Sequence, residues 1–505
     1  MLTFLLLTGC YSEMYIVDTG WYGDESAMAE PSDADESVED DLGSEEETSL
    51  LGLRPATTPA YVFIANADRD TVSRIAVPAL DVITASVGVN PTMVATSADH
   101  TLAVTFNEGS DSISIIDAET LSVTEVAVRD NLNQMVLSDD GRWVICYHDL
   151  AAEDGAPDYD GAISYNEISI VDLQALTHHE SVVGMFPHDV QFTADSTTAV
   201  VVSDDYLAVL DLSGDAPTTT RIALSEDTVD PPPAEEVLLD PAGSYAFVRQ
   251  YGVDSLVLVD LIGASIASLL VGDNPTDMDL SPDGTEAIVV ARGDGEVWTY
   301  DLSDPTAMPA VVFMPEEETF GQLEVSPDGG LGILYSTASG EGRYGLWDRS
   351  SGDVTAIGLV KPIASLGISP DGASALIFHT LDNGDTDAES AFYDHHALTL
   401  IDLSDQFANP IRLDAEPIAY DNAADGQTGF VITEGDSSLQ VLHYSTLIHD
   451  QVSLPSDSVY LGVLPETNTA YVSQAHDLGR ISFFDADADD LRTITGFELN
   501  AAIEQ

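Results

Sequence analysis

Two acid-rich stretches hold most of the side chains that could do chemistry: 148–165, with His148, Asp149, Glu153, Asp154, Asp158, Tyr159 and Asp160, and 379–396, with His379, Asp382, Asp385, Asp387, Glu389, Tyr393, Asp394, His395 and His396. Clustered carboxylates suit calcium, a hard ion that takes six to eight oxygen ligands in flexible geometry. Asp154, Asp158, Asp160, Asp382, Asp385 and Asp387 are the candidate ligands, although their spacing completes no calcium-loop pattern. Solvated loops explain the same composition. Asp485-Ala486-Asp487-Ala488-Asp489-Asp490 opens like a calcium loop but lacks its glycine and closing glutamate, and reads as a charged turn.

Histidine offers a second chemistry. His148, His188, His379 and His476 are candidates for a shared transition-metal site, since neutral imidazole is a common ligand, but long separations and the lack of a short ligand motif favour unrelated surface positions. His188-Asp189 follows Pro187, and Asn133-Gln134, Glu235-Glu236, Thr276-Asp277 and Gln322 occupy comparable positions. With His148, Asp149, His379 and His476, the residues His188, Asp189 and Asp277 form the candidate binding face. His178-His179 reads as a solvent-exposed turn. No nucleophile elbow, phosphate loop, zinc-protease helix or haem-attachment pair occurs.

The elements that must position these residues come from a repeat. Ser281-Pro282-Asp283-Gly284 returns as Ser326-Pro327-Asp328-Gly329 and Ser369-Pro370-Asp371-Gly372, with weaker copies at 97–100, 138–141, 193–196, 240–243, 423–426 and 464–467. Proline presets φ, aspartate bonds the following backbone and glycine accepts a positive φ, so each copy is a tight turn. Apolar runs such as Ala287-Ile288-Val289-Val290-Ala291 and Ser255-Leu256-Val257-Leu258-Val259-Asp260 follow the turns. Four such runs per repeat predict a four-stranded antiparallel blade with both faces buried against its neighbours.

The fold class expected is therefore all-β: a β-propeller of four-stranded antiparallel blades, about ten blade-like repeats, in one closed ring, with two fused smaller propellers as the alternative. The unbroken rhythm from Tyr61 to Asn500 favours one ring. Nine inner strands are legible for ten blades. The missing one is expected from Ser49 to Leu53 or from the tail near Phe497 to Ile503. In such a ring the loop between second and third strands and the loop entering the inner strand share the face around the channel mouth, where insertions are often functional.

The Ser-Pro-Asp-Gly turns, Tyr61-Val62-Phe63-Ile64-Ala65-Asn66 and Asp273-Asn274-Pro275 resemble bacterial propellers of the YVTN and WD-repeat-like class. The resemblance implies a propeller across the ordered chain and leaves function open, because this fold hosts binders and several unrelated enzymes.

At the start, an apolar run precedes Leu7-Thr8-Gly9-Cys10, which resembles a bacterial lipobox with Cys10 as the lipidated residue; the usual Lys or Arg before the run is missing. This divides the chain into a lipoprotein signal peptide at 1–10, an acidic disordered tether at 11–55 and the propeller at 56–505. Tyr11, in place of an aspartate, favours the outer membrane as the site of the lipid anchor. Cys146, the other cysteine, sits in an apolar run and reads as a buried hydrophobe.

Charge narrows the partners. With 89 acidic residues against 14 Lys and Arg, the formal net charge is −75, and a face broad enough for DNA or RNA would repel phosphate. The function expected is a non-enzymatic cell-envelope lipoprotein presenting a propeller face to a protein, peptide or glycan, with calcium as a candidate cofactor. The alternative is a secreted lactonase-like or metal-dependent enzyme with a His/Asp site at the central channel.

Overall fold

The computed structural model describes residues 55–152, 165–225, 231–316, 318–338, 340 and 342–504. The signal peptide, Cys10, the tether up to residue 54 and Asp154, Asp158 and Asp160 lie outside them. The described chain forms nine four-stranded sheets and one of five strands, all antiparallel and each made from consecutive strands. We number them as blades 1 to 10: 56–86, 91–127, 134–182, 187–223, 234–270, 275–313, 322–358, 363–413, 417–453 and 458–504.

Apolar packing makes these blades one ring. Ten separate clusters of buried side chains each bridge two consecutive blades, from Phe63 with Ile116 between blades 1 and 2 to Phe430 with Leu461 between blades 9 and 10. The tenth joins Val62 and Ile75 of blade 1 to Ile481, Phe483 and Ile494 of blade 10. Two fused smaller rings would need contacts between non-consecutive blades in mid-chain, and no cluster makes them. The alternation of strand side chains explains the unbroken apolar runs: Ala199 and Val201 face blade 3, while Val200 and Val202 face blade 5.

The Ser-Pro-Asp-Gly turns after inner strands are built as their sequence predicts. Ser281 Oγ donates to Asp283 Oδ1 at 2.7 Å, Gly284 N donates to the Ser281 carbonyl at 2.7 Å, and Gly284 takes φ of 65°. His100 and Ser196 hold the same left-handed conformation in weaker copies, with φ of 61° and 55°, so geometry is kept where glycine is lost.

Closure differs from both expectations. The inner strand of blade 1 is the short Ala56–Thr57, and the tail strand Ile503–Glu504 adds instead to the outer edge of blade 10. Between them, Phe497–Leu499 forms a single turn that places Phe497 in the cluster between blades 10 and 1. Tyr471 Oη also donates to the Pro55 carbonyl at 2.8 Å. No described helix is long and apolar enough to cross a membrane.

Because strands alternate in direction, the ring has two unlike faces. Turns joining strands one to two and three to four lie on one, here the turn face; loops joining two to three, and links entering each inner strand, lie on the mouth face.

Candidate functional site

Seven inner strands start with a register shift, such as Pro187/Asp189, Ala234/Glu236 and Pro275/Asp277, which leaves His188, Glu235 and Thr276 as extra residues at the mouth. The shift also turns the next side chains toward the neighbouring blade. Asp277 Oδ2 accepts from Leu323 N at 2.6 Å, and Glu236 Oε1 accepts from Met278 N at 3.1 Å. Further along blade 9, Asp421 Oδ2 accepts from Val463 N at 2.7 Å. These carboxylates link adjacent inner strands that share no ladder hydrogen bonds. Asp277 and Gln322, both at predicted entrances to inner strands, are buried.

The structure brings His148, Asp149, His188 and Asp189 together where blades 3 and 4 meet. His148 Nδ1 donates to the Asn131 carbonyl at 2.8 Å, and its ring packs edge-on to Tyr165 with centroids 5.2 Å apart. Asn133 brackets Asp149, donating to its carbonyl and accepting from its backbone N at 2.7 and 2.8 Å. Asp204, from the turn between the second and third strands of blade 4, lies 3.9 Å from His188 Nδ1. Burial pushes the carboxyls of Asp149, Asp189 and Asp204 above their ordinary values.

His379 and His476 lie elsewhere. His379 ends the second strand of blade 8, opposite blade 3 in a ten-bladed ring, and both its nitrogens are engaged, with the Pro362 carbonyl at 3.1 Å and Thr399 Oγ1 at 2.7 Å. Burial pushes its pKa down to about 4. A neutral, doubly bonded interior imidazole is not poised to bind a metal. His476 is exposed on blade 10, its Nδ1 accepting from Leu478 N. Among the described residues no group of three or more His, Cys, Asp or Glu is placed to hold a metal ion.

The second long loop is a built structure. Its three candidate carboxylates accept from backbone: Asp382 from Gly384 N, Asp385 from Gly342 N of blade 7, and Asp387 from Glu389 N. Its two ends are stapled by a residue that composition alone singles out. Lys361 is the only lysine in 505 residues, is fully buried, and donates from Nζ to the carbonyls of Leu381 and His395 at 3.1 and 2.9 Å. Burial lowers its pKa, opposed by the charges of Asp394 and Asp382.

One smaller reading is corrected. His178 lies within the fourth strand of blade 3, half-buried and bonded through Nε2 to Ser169 Oγ at 2.9 Å, where a turn was expected. Sequence reasoning also missed Asp204 and Asp273; the signal available was the repeated placement of acids between second and third strands, in Asp204-Asp205, Asp254 and Asp294.

Carboxyl chemistry separates the faces. On the turn face, hydrogen bonds from Ser or Thr hydroxyls and backbone N–H groups hold Asp99, Asp211, Asp283, Asp301, Asp328 and Asp348 below their ordinary values. At the mouth, burial raises Asp149, Asp189 and Asp204, while the nearby charge of Asp254 raises Asp273. Asp139 is the turn-face exception, raised by burial. The named turn-face acids are committed to their own turns, whereas Asp149, Asp189, Asp204 and Asp273 are ionised at a cost.

These features define a ten-bladed β-propeller with an acidic, loop-bearing mouth. No protein-family model matches the chain, and no curated protein matches it. Among solved structures it is similar to a crystal structure of the eukaryotic initiation factor, at 11% identity and TM-score 0.50 over 78% of this chain and 96% of that one. It is also similar to dihydro-heme d1 dehydrogenase NirN in complex with DHE, at 16% identity and TM-score 0.44 over 70% and 73% of the two chains. A third is the β-propeller domain of Myceliophteria thermophila Cps50 (Swd1), at 13% identity and TM-score 0.35 over 57% and 92%. At these identities the likeness concerns the fold alone.

Proposed function

We propose that the protein is a binding module whose mouth face receives a protein, peptide or glycan, and that it belongs with the YVTN and WD-repeat-like propellers it resembles. The observation carrying this reading is the concentration, at the junction of blades 3 and 4, of His148, Asp149, His188, Asp189 and Asp204, with three carboxyls raised by burial. Desolvated acids beside imidazoles favour a ligand that donates hydrogen bonds or carries positive charge, because either lowers the cost of ionising them. Calcium enters the proposal as an ion drawn to the two acid-rich loops, through Asp154, Asp158, Asp160, Asp382, Asp385 and Asp387.

The anchoring part of the reading rests on Leu7-Thr8-Gly9-Cys10: lipid on Cys10 holds the propeller at the cell envelope, in the outer membrane, with 11–55 as spacer. Fatty-acid labelling of the expressed chain, lost in Cys10→Ser, tests it.

For the face itself, glycan and peptide arrays probed with the folded protein, with and without calcium, are compared with His188→Ala and Asp204→Asn. Selective ligands lost in both variants support the reading. Ligands kept by both variants, or no selective ligand, overturn it. The enzyme alternative, taken as a central site that would gather His148, His188 and His379, lacks a shared site, since His379 lies across the ring from the other two with both nitrogens bonded.

A further inference from the structure

The turn face carries a gap that the described residues leave open. Between blades 5 and 6 lies an open cavity of about 590 Å³ whose walls include Ser244, Tyr245, Asp260, Ile262, Thr285 and Asp301. That volume falls in the range of small-ligand sites.

The repeat shows what such a gap accommodates. In blade 3, Arg142 follows the tight turn, Trp143 comes next, and Trp143 pairs in register with Asp172 at the end of the third strand. The Arg142 guanidinium donates to Asp172 Oδ2 from Nε and Nη2 at 3.1 and 2.9 Å, and lies 4.6 Å from the Trp143 ring centroid. It also reaches the Gly214 carbonyl of blade 4 at 3.3 Å, spanning the junction. Arginines cross other junctions as well: Arg74 lies 4.5 Å over the Tyr61 ring and bonds the Ala118 carbonyl of blade 2, Arg349 of blade 7 pairs with Glu286 of blade 6, and Arg492 of blade 10 donates to the Pro78 carbonyl of blade 1.

Blade 5 repeats the accepting half of the blade 3 arrangement without its cation. Ser244 follows the turn where Arg142 does, Tyr245 replaces Trp143, and Tyr245 pairs in register with Asp260. Asp172 Oδ1 accepts from Gln174 and Ala175 N, leaving Oδ2 for the guanidinium. Asp260 Oδ1 likewise accepts from Ile262 and Gly263 N at 3.1 and 2.6 Å, and Asp260 lines the gap. Asp301 in blade 6 holds the equivalent position beside the short Thr285. Among the described residues no cation pairs with Asp260 or Asp301.

We propose that this groove is a docking site for an arginine side chain presented by a polypeptide partner. The guanidinium takes the place that Arg142 fills in blade 3, forking onto Asp260 with its face on Tyr245, while its aliphatic stem packs on Ile262, which is 81% exposed. The site is separate from the mouth face, so either reading can fail without the other.

The test is fluorescence polarisation of the folded full chain with labelled acetyl-Arg-Gly-Arg-amide, in about 0.3 M sodium chloride to screen diffuse attraction. Saturable binding is expected, weakened at least about tenfold by Asp260→Asn and by Ser244→Arg, which supplies the missing cation from within. Asp68→Asn, an exposed acid on blade 1, is expected to change it less than about twofold. The Lys-Gly-Lys probe is expected to bind several-fold more weakly, lacking the planar fork. Asp260→Asn keeps an oxygen for the turn, so its result stands even where Ser244→Arg fails to fold. Absence of saturable binding, equal losses in Asp68→Asn and Asp260→Asn, or full binding by a folded Ser244→Arg protein overturns the proposal.

Discussion

Ser73 and Phe497, 424 positions apart, are joined by a hydrogen bond of 2.9 Å from the Ser73 hydroxyl to the Phe497 carbonyl, which ties the first blade to the last. Around it, Arg69 pairs with Glu498, and Asn500 Oδ1 accepts from Thr84 N. No strand is exchanged between the two blades. The tail instead crosses the junction as a clasp, anchored by one buried aromatic ring.

Phe497→Ala is therefore expected to destabilise the protein by about 3–4 kcal/mol, the range for emptying a buried aromatic position. Urea unfolding measures it, and a change below about 0.5 kcal/mol would show that the clasp contributes nothing. Removing 496–505 should cost more, since the polar contacts to blade 1 go as well.

Asp421 gives a pH signature. Burial raises its pKa to about 6 from 3.8, so ionising it in the folded protein costs stability above about pH 6, and no such cost exists below pH 3.8. Asp421→Asn keeps an acceptor for Val463 N and removes the charge. It should be more stable than the parent by about 2 kcal/mol at pH 8, a gain that shrinks between pH 6 and 4. A loss of stability at pH 8 would contradict this.

Lys361 is the third case. An amine-reactive reagent should leave it unmodified in the folded protein and label it on unfolding, with peptide mass spectrometry as the readout. Lys361→Met leaves the Leu381 and His395 carbonyls without their donor, at a cost of about 1–3 kcal/mol, and should speed hydrogen exchange in 379–396. Rapid labelling of the native chain would refute the staple.

The excess of acid makes a fourth prediction. Most described arginines are tied to carboxylates or carbonyls within the molecule, leaving the surface acids to repel one another. The melting temperature should rise with sodium chloride from about 0.05 to 1 M, as the screening length falls to about 3 Å. A flat or falling curve would mean that the charge is neutralised otherwise.

The sequence made the blades legible because each Ser-Pro-Asp-Gly turn has a local cause: Asp283 needs only Ser281 and the next backbone groups to fold. The ring order and the two long mouth loops followed from that rhythm. What depended on distant partners was hidden. Asp277 looked solvent-facing because nothing near it in the chain reveals that Leu323 N, 46 residues on, waits for its carboxylate. His379 looked like a ligand because Thr399 and Pro362 become its partners only when blade 8 folds. The closing strand escaped notice because Ala56–Thr57 is two residues long and carries no pattern.

Pulsed electron resonance between paired nitroxides tests the ring most directly, in a chain with Cys10 and Cys146 replaced. Labels go on exposed turns between third and fourth strands, at Ala79 of blade 1, Met308 of blade 6 and Ala488 of blade 10. One ten-bladed ring predicts a short distance for Ala79 with Ala488 and a much longer one for Met308 with Ala488. The reverse order, with blade 10 beside blade 6, would mean two five-bladed wheels and would contradict the account.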